Sequence, residues 1–198
     1  MLSPELLRAA FAAGEPFDAY VARGTPDQRD NWGRIYARLC LTEPQRALVR
    51  GFTRRVNILV SSGMWCGDCA HQCPMLARIA QANPAHAAAP DSPGIDLRFV
   101  DRDRYAAFAD AVRICGGTRV PTAVFFSEDF FFVSVLGDKT LTRLRAKAAR
   151  ALGQFCPLPG AEPPEDELNQ TLADWLHEIE RVHLLLRLSP RLRTKHAD

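Results

Sequence analysis

The feature that most constrains the fold is a change in the hydrophobic pattern near residue 56. Val56 to Val60 is a short apolar run of mainly β-branched residues, which favours a buried strand. Two cysteines with C-x-x-C spacing, Cys66 and Cys69, follow it closely, and a helical pattern runs from about Cys66 to Ala82. The sequence therefore predicts a strand that leads into a cysteine pair, with a helix beginning at the first cysteine.

The next segments predict an alternating α/β domain over residues 54–152. Its further elements are a strand Ile95–Asp101, a helix Tyr105–Ile114, strands Thr122–Phe126 and Phe130–Val135, and a helix over 138–152. A β-α-β order calls for parallel pairing of the first two strands. The two closely spaced later strands predict an antiparallel hairpin.

Helical additions are expected at both ends of this domain. Residues 1–53 carry short apolar helical faces, and Thr42 to Gln45 has the form of a capping box. Residues 153–198 predict a connector, an amphipathic helix and a basic tail. The helix has an apolar stripe made of Leu168, Leu172, Trp175, Leu176, Ile179, Val182 and Leu186. Such a stripe can pack on its own domain or form a homodimer, and both interpretations stay open.

Composition narrows the class of protein. The formal net charge of +2 over 198 residues gives no argument for nucleic-acid or membrane binding. No apolar run approaches the roughly 20 residues that a membrane helix needs. The N-terminal segment has no basic stretch before an apolar one, so we expect a cytoplasmic protein with reduced thiols. Six cysteines, two of them in a C-x-x-C pair, then indicate redox or metal chemistry.

The segment from Trp65 to Cys69 can support thiol chemistry. A helix N-terminus favours a thiolate, so Cys66 is the expected nucleophile, and Cys69 lies one turn later, where it can resolve a mixed disulfide. We expect Gly67 to permit a tight first turn and Trp65 to shield the site. Asp68 should oppose thiolate formation, so its replacement by proline should lower the pKa of Cys66.

The motif Trp65-Cys66-Gly67-Asp68-Cys69, with Arg119-Val120-Pro121-Thr122 some fifty residues later, resembles the thioredoxin family over about residues 50–152. The resemblance implies a thioredoxin-like α/β fold, with a central mixed sheet of five or more elements flanked by helices. It implies a cis Val120–Pro121 bond beside the two sulfurs, with Pro121 shaping a substrate groove. It also implies reduction of protein disulfides without a bound cofactor, and a partner reductase that recycles the protein.

Two positions depart from the family pattern. Val60 stands where the family has a buried aspartate that accepts a proton from the second cysteine, and Asp68 stands where it has proline. These departures predict narrower substrates or a different redox potential.

Two alternatives come from other classes of protein. Cys66, Cys69, Cys73 and His71 offer metal ligands, but they lie along one helix and no second C-x-x-C or C-x-x-H pair completes a site, so no metal is expected. A thioredoxin-fold binding module could instead act through its terminal helices. The remaining cysteines, Cys40, Cys115 and Cys156, are expected to be structural, although Cys115 could come close to the active site.

Overall fold

A computed structural model describes residues 2–85, 92–152 and 166–198. The strands are β1 (Arg55–Ser62), β2 (Gly94–Asp101), β3 (Thr122–Phe126) and β4 (Phe132–Gly137). The helices are α1 (Pro4–Ala13), α2 (Phe17–Ala22), α3 (Pro26–Arg38), α4 (Glu43–Arg50), α5 (Gly67–Ala80), α6 (Ala106–Ala111), α7 (Leu141–Leu152), α8 (Glu167–Leu188) and α9 (Pro190–His196). No helix in these described ranges is long and apolar enough to cross a membrane.

The four strands form one mixed sheet in the order β2-β1-β3-β4. β1 pairs in parallel with β2 and antiparallel with β3, and β3 and β4 form the predicted antiparallel hairpin. All eight residues of β1 are buried because this strand lies inside the sheet with apolar clusters on both faces. The fold is therefore the expected α/β arrangement, and the cysteine motif follows one of its central strands.

The resemblance implied at least five elements in the sheet, and within the described residues this count is wrong. At the outer edge of β2, Glu15 makes a single antiparallel bridge to Phe99, through two backbone hydrogen bonds of 2.8 and 2.9 Å. Glu15 lies in the short link between α1 and α2, directly before Pro16, which has no N–H to donate. A fifth strand is thus replaced by isolated bridges, this one and a parallel bridge between Pro84 and Ile95.

Several element boundaries differ from the sequence prediction, and the backbone gives the reason for two of them. β4 begins at Phe132 rather than Phe130, because Phe130 has a positive φ of 68° and lies in the turn. The helix predicted to reach Ile114 ends at Ala111, since Ile114 pairs with Gly117 in an isolated bridge.

The terminal helices share the main core. The capping box at Thr42 is present, with Gln45 bonding back to the Thr42 amide. The predicted stripe of α8 is buried except for the partly buried Leu168, and it packs in the same apolar cluster as β1 and α5. A homodimer through α8 remains a prediction, and it would have to use the opposite face of the helix, where Leu184 and Leu188 are exposed.

Candidate active site

Cys66 lies at the junction of β1 and α5. It is the N-cap residue of α5, in extended backbone with φ −87° and ψ 121°, and its side chain is partly exposed. Cys69, in the first turn of the helix, is completely buried behind it. The helix start thus presents one accessible sulfur and one enclosed sulfur.

The surroundings of the reduced pair raise the pKa of both thiols. For Cys66 the causes are the hydrogen bond with the Cys69 thiol and then burial, while the backbone amides of Asp68 and Cys69 act in the opposite direction. For Cys69 the main cause is burial. The direction for Cys66 agrees with the expectation that its pKa is not depressed.

The loop before β3 reaches the cysteine pair. The Val120–Pro121 bond is cis, as the resemblance implied, and the Cys66 thiol donates to the Val120 carbonyl oxygen at 3.6 Å. Gly137 at the end of β4 makes this placement possible: a Cβ there would lie 2.6 Å from the Pro121 carbonyl oxygen and 2.8 Å from the Thr122 Cα. The structure therefore brings Val120 and Pro121 beside Cys66.

Asp68 is the centre of a chain of ion pairs. Its carboxylate bonds to Lys139 Nζ at 2.8 Å and to Arg143 Nη2 at 2.7 Å. Lys139 also pairs with Asp138 at 2.7 Å, and Arg143 with Glu167 of α8. Burial alone would raise the pKa of Asp68, but the hydrogen bonds from the two cations outweigh it and hold this pKa below its usual value. The charge that we expected to act on Cys66 is therefore largely compensated, and the effect of an Asp68→Pro change stays a prediction.

Gly67 and Trp65 border Cys66 on its exposed side. A Cβ at Gly67 would meet no neighbouring atom, and the backbone there does not have a positive φ, so the turn itself does not require glycine as we had expected. The absence of a side chain at Gly67 leaves the surface beside Cys66 open. The Trp65 ring is about half exposed and lies against Gly63, where a Cβ would come within 2.7 Å of it.

Arg102 was not recognised as a site residue from the sequence. Its guanidinium lies 4.6 Å from the centroid of the Trp65 ring, and a thiolate at Cys66 would act to raise the pKa of Arg102. The alternating charges of residues 101–104 did not indicate that Arg102 contacts Trp65, because this pattern is typical of a solvated helix start. The pairing arises where the end of β2 lies beside the end of β1.

The other cysteines occupy different environments. Cys73 is completely buried, one turn after Cys69, whereas Cys40 and Cys115 are exposed. Cys156 lies outside the described residues. His71, which the sequence offered as a metal ligand, is partly buried, and its Nε2 makes no hydrogen bond. Within the ranges that the structure describes, no three Cys, His, Asp or Glu side chains converge to hold a metal ion.

Comparison with known proteins agrees with this fold. A protein of unknown function from Pseudomonas aeruginosa has a similar structure, with a TM-score of 0.65 and 18% identity over 87% of this chain and 93% of that chain. An HIV epitope-scaffold gives a TM-score of 0.61 and 19% identity, over 92% of this chain and 98% of that chain. At such identities these similarities show the fold alone. No curated protein matches the sequence.

A family model described as Thioredoxin matches residues 14–140. The matched segment begins before α2 and ends before α7, so it takes in three of the N-terminal helices as well as the sheet. Since it spans well over half of the chain, this protein belongs to the thioredoxin family.

Proposed function

We propose that this protein is a thiol–disulfide oxidoreductase that reduces disulfides in other proteins through Cys66 and Cys69. One observation carries the proposal: a partly exposed cysteine caps α5, a buried cysteine lies one turn behind it, and the loop with cis Pro121 contacts the exposed one. The outer sulfur can meet a substrate, and the inner sulfur is protected until it is needed.

The proposed reaction transfers two electrons in two exchange steps. The Cys66 thiolate attacks one sulfur of the substrate disulfide, which forms a mixed disulfide and releases the other substrate sulfur as a thiolate that takes up a proton. The Cys69 thiolate then attacks the sulfur of Cys66. This closes a Cys66–Cys69 disulfide and releases the second substrate thiol. A separate dithiol reductase has to reduce the pair again.

The raised pKa of Cys66 supports the reducing direction. Oxidoreductases that act as strong oxidants stabilise their reduced form, which they do with a low-pKa thiolate. Here the thiol of Cys69 and burial raise the pKa of Cys66 instead. A reduced form without a stabilised thiolate gives up its electrons more readily.

The exposed groups around Cys66 support a protein substrate. Trp65 offers an aromatic surface, Gly67 leaves space, and the Val120–Pro121 loop forms the opposite side. The competing idea of a binding module rested on the apolar stripe of α8, which packs inside the chain's own core. A cytoplasmic location, the substrate proteins and the recycling reductase remain predictions.

The test is a redox titration with thiol trapping, read peptide by peptide. Cys66 and Cys69 should titrate together as a two-electron pair near the about −270 mV of thioredoxin. The exposed Cys115 provides a matched control, since Cys115→Ser should leave the titration unchanged. A pair that resists oxidation would refute the proposal.

The two cysteines should also differ in what their loss does. Cys66→Ser should abolish turnover because no outer nucleophile remains. Cys69→Ser should trap the mixed disulfide with the substrate, since nothing resolves it. Failure of Cys69→Ser to retain any disulfide-linked adduct would contradict the assigned roles.

A further inference from the structure

In the resolving step, the two cysteines alone do not explain how the Cys69 thiolate is stabilised. If the protein acts as proposed above, Cys69 has to attack as a thiolate, yet its side chain has no exposure to solvent. Water therefore cannot solvate the charge, and burial raises the pKa of this thiol. A polar group beside Cys69 has to stabilise the anion.

In related proteins a carboxylate occupies the position of Val60. Here Val60 is apolar and fully buried, so this position cannot stabilise the Cys69 thiolate. The charged groups of α7 and α8 that lie near α5, Arg143 and Glu167, are paired around Asp68 rather than around Cys69. Stabilisation of the Cys69 thiolate therefore has to come from an uncharged hydrogen-bond donor.

Ser62, the last residue of β1, brings an uncharged hydroxyl to the buried cysteines of α5. Its side chain is fully buried, as is that of Cys73, and its Oγ lies 3.6 Å from the Cys73 sulfur. Cys69 and Cys73 are one helical turn apart on α5, so their sulfurs share one face. Hydrogen bonding from Ser62 acts to lower the pKa of Cys69, whereas Cys73 acts to raise it.

The N-terminal helix α2 places a second buried hydroxyl group, that of Tyr20, near Ser62. Tyr20 of α2 is 1% exposed, and its hydroxyl makes no hydrogen bond within ordinary geometry. Burial raises the pKa of Tyr20, and Ser62, Cys73, Cys69 and Asp101 at the end of β2 are the groups that interact with it. Asp101 accepts bonds from the Asp103 and Arg104 amides, so it does not replace the missing carboxylate.

We propose that the Ser62 hydroxyl donates the hydrogen bond that stabilises the Cys69 thiolate as it attacks Cys66, and that Cys73 competes with Cys69 for this donor. Ser62 keeps its proton throughout. The proton that leaves Cys69 is balanced by the one that the departing substrate thiolate takes up. The assignment makes the end of β1 part of the reaction centre.

The experiment follows both exchange steps with Ellman's reagent. All variants carry Cys40→Ser, Cys115→Ser and Cys156→Ser, so that Cys66, Cys69 and Cys73 remain. Attack by Cys66 on the reagent releases a first coloured thiolate, and attack by Cys69 on the resulting mixed disulfide releases a second. The rate of the second phase against pH gives the ionisation midpoint of Cys69.

Ser62→Ala should raise the midpoint of the second phase by about one pH unit and leave the first phase unchanged. Below the midpoint the second phase should slow about threefold rather than tenfold, because a more basic thiolate is also a better nucleophile. Cys73→Ala should move the midpoint in the opposite direction. Ser61→Ala is the matched control, since Ser61 is a buried serine one residue earlier on the same strand, with its side chain on the other face of the sheet.

Opposite shifts of the midpoint in Ser62→Ala and Cys73→Ala would distinguish a hydrogen-bonding role of Ser62 from a structural one. Loosened packing would not shift the two midpoints in opposite directions. Ser62→Thr, which keeps the hydroxyl, should restore the wild-type midpoint. If Ser62→Ala does not fold, the Cys73→Ala shift decides the question. Unchanged midpoints in the folded variants would overturn the assignment while leaving the proposed function intact. Loss of the second phase in the wild-type background would refute the function and this inference with it.

Discussion

At the residue scale, the environment of Cys66 is set by contacts that the motif itself does not contain. Arg102 lies on the ring of Trp65, the residue before Cys66, and the Val120 carbonyl accepts a hydrogen bond from the Cys66 thiol. The Asp68 carboxylate, by contrast, is held by two cations. A Cys66 thiolate would raise the pKa of Arg102, so the Arg102 guanidinium should in turn favour that thiolate.

Arg102→Gln should raise the pH midpoint for alkylation of Cys66, because the guanidinium favours the thiolate. The side chain is partly exposed, so the shift should be less than about one pH unit. The measurement is the iodoacetamide rate against pH in a Cys69→Ser background. Arg104→Gln, an exposed arginine two residues along, should have no effect. An equal shift in both variants would contradict a specific contact.

Lys139 is a second residue with a strong expected effect, here on stability. It is 6% exposed and lies between the carboxylates of Asp68 and Asp138. Lys139→Met would leave both partly buried acids without this partner and should lower the free energy of unfolding by about 1–3 kcal/mol. Urea denaturation measures this loss. The control is Lys147→Met on the exposed face of α7, and a comparable loss there would argue against the buried pairing.

At the element scale, a histidine of α8 joins this helix to the segment before β1, and its ring has to be neutral to accept the hydrogen bond that it receives there. His183 accepts a hydrogen bond from the Thr53 amide at 2.9 Å and stacks on Phe52, with 4.4 Å between the ring centroids. Burial lowers the pKa of His183 to about 4. The neutral ring thus joins α8 to the segment that leads into β1.

This arrangement predicts that stability depends on pH. The folded pKa lies below the ordinary value of about 6.5, so the contribution of His183 is complete above that pH and is lost as pH falls toward 4. The loss should be roughly 2–3 kcal/mol, measured by urea denaturation at several pH values. His183→Gln should remove this part of the pH dependence. The exposed His177→Gln on the same helix should retain it, and a flat profile in the wild type would disprove the idea.

At the scale of the whole molecule, the C-terminal helices complete the core. Six side chains of α8 are buried in it: Leu172, Trp175, Leu176, Ile179, Val182 and Leu186. Each contributes roughly 1.5–3 kcal/mol by burial, so together they match the 5–15 kcal/mol total stability of a typical domain. Leu192 of α9 is buried as well.

A chain that ends at residue 152 should therefore not unfold cooperatively. Differential scanning calorimetry should show no sharp transition for this truncated chain. Adding a peptide of residues 166–198 should restore the transition, because the apolar surface is then covered again. A cooperative transition of the truncated chain alone would show that the core is complete without α8.

Sequence reasoning located the local features and missed the long-range ones. The β1–cysteine–α5 order, the hairpin and the stripe of α8 have periodic or short-range signals, and they were predicted. The pairing of Asp68 with Lys139 and the meeting of Ser62 with Tyr20 join residues that are distant in sequence and carry no such pattern. The missing fifth strand depended on a single proline in a two-helix link, which a family resemblance does not reveal.

The single bridge between Glu15 and Phe99 also affects how copies of the molecule can associate. An open sheet edge is a template for adding strands from other chains. Here two isolated bridges, Glu15 with Phe99 and Pro84 with Ile95, occupy part of the outer edge of β2, and neither Pro16 beside Glu15 nor Pro84 itself can donate an N–H to a ladder. Within the described residues no bridge forms on the outer side of β4, so β4 is the more open edge for a strand from another chain.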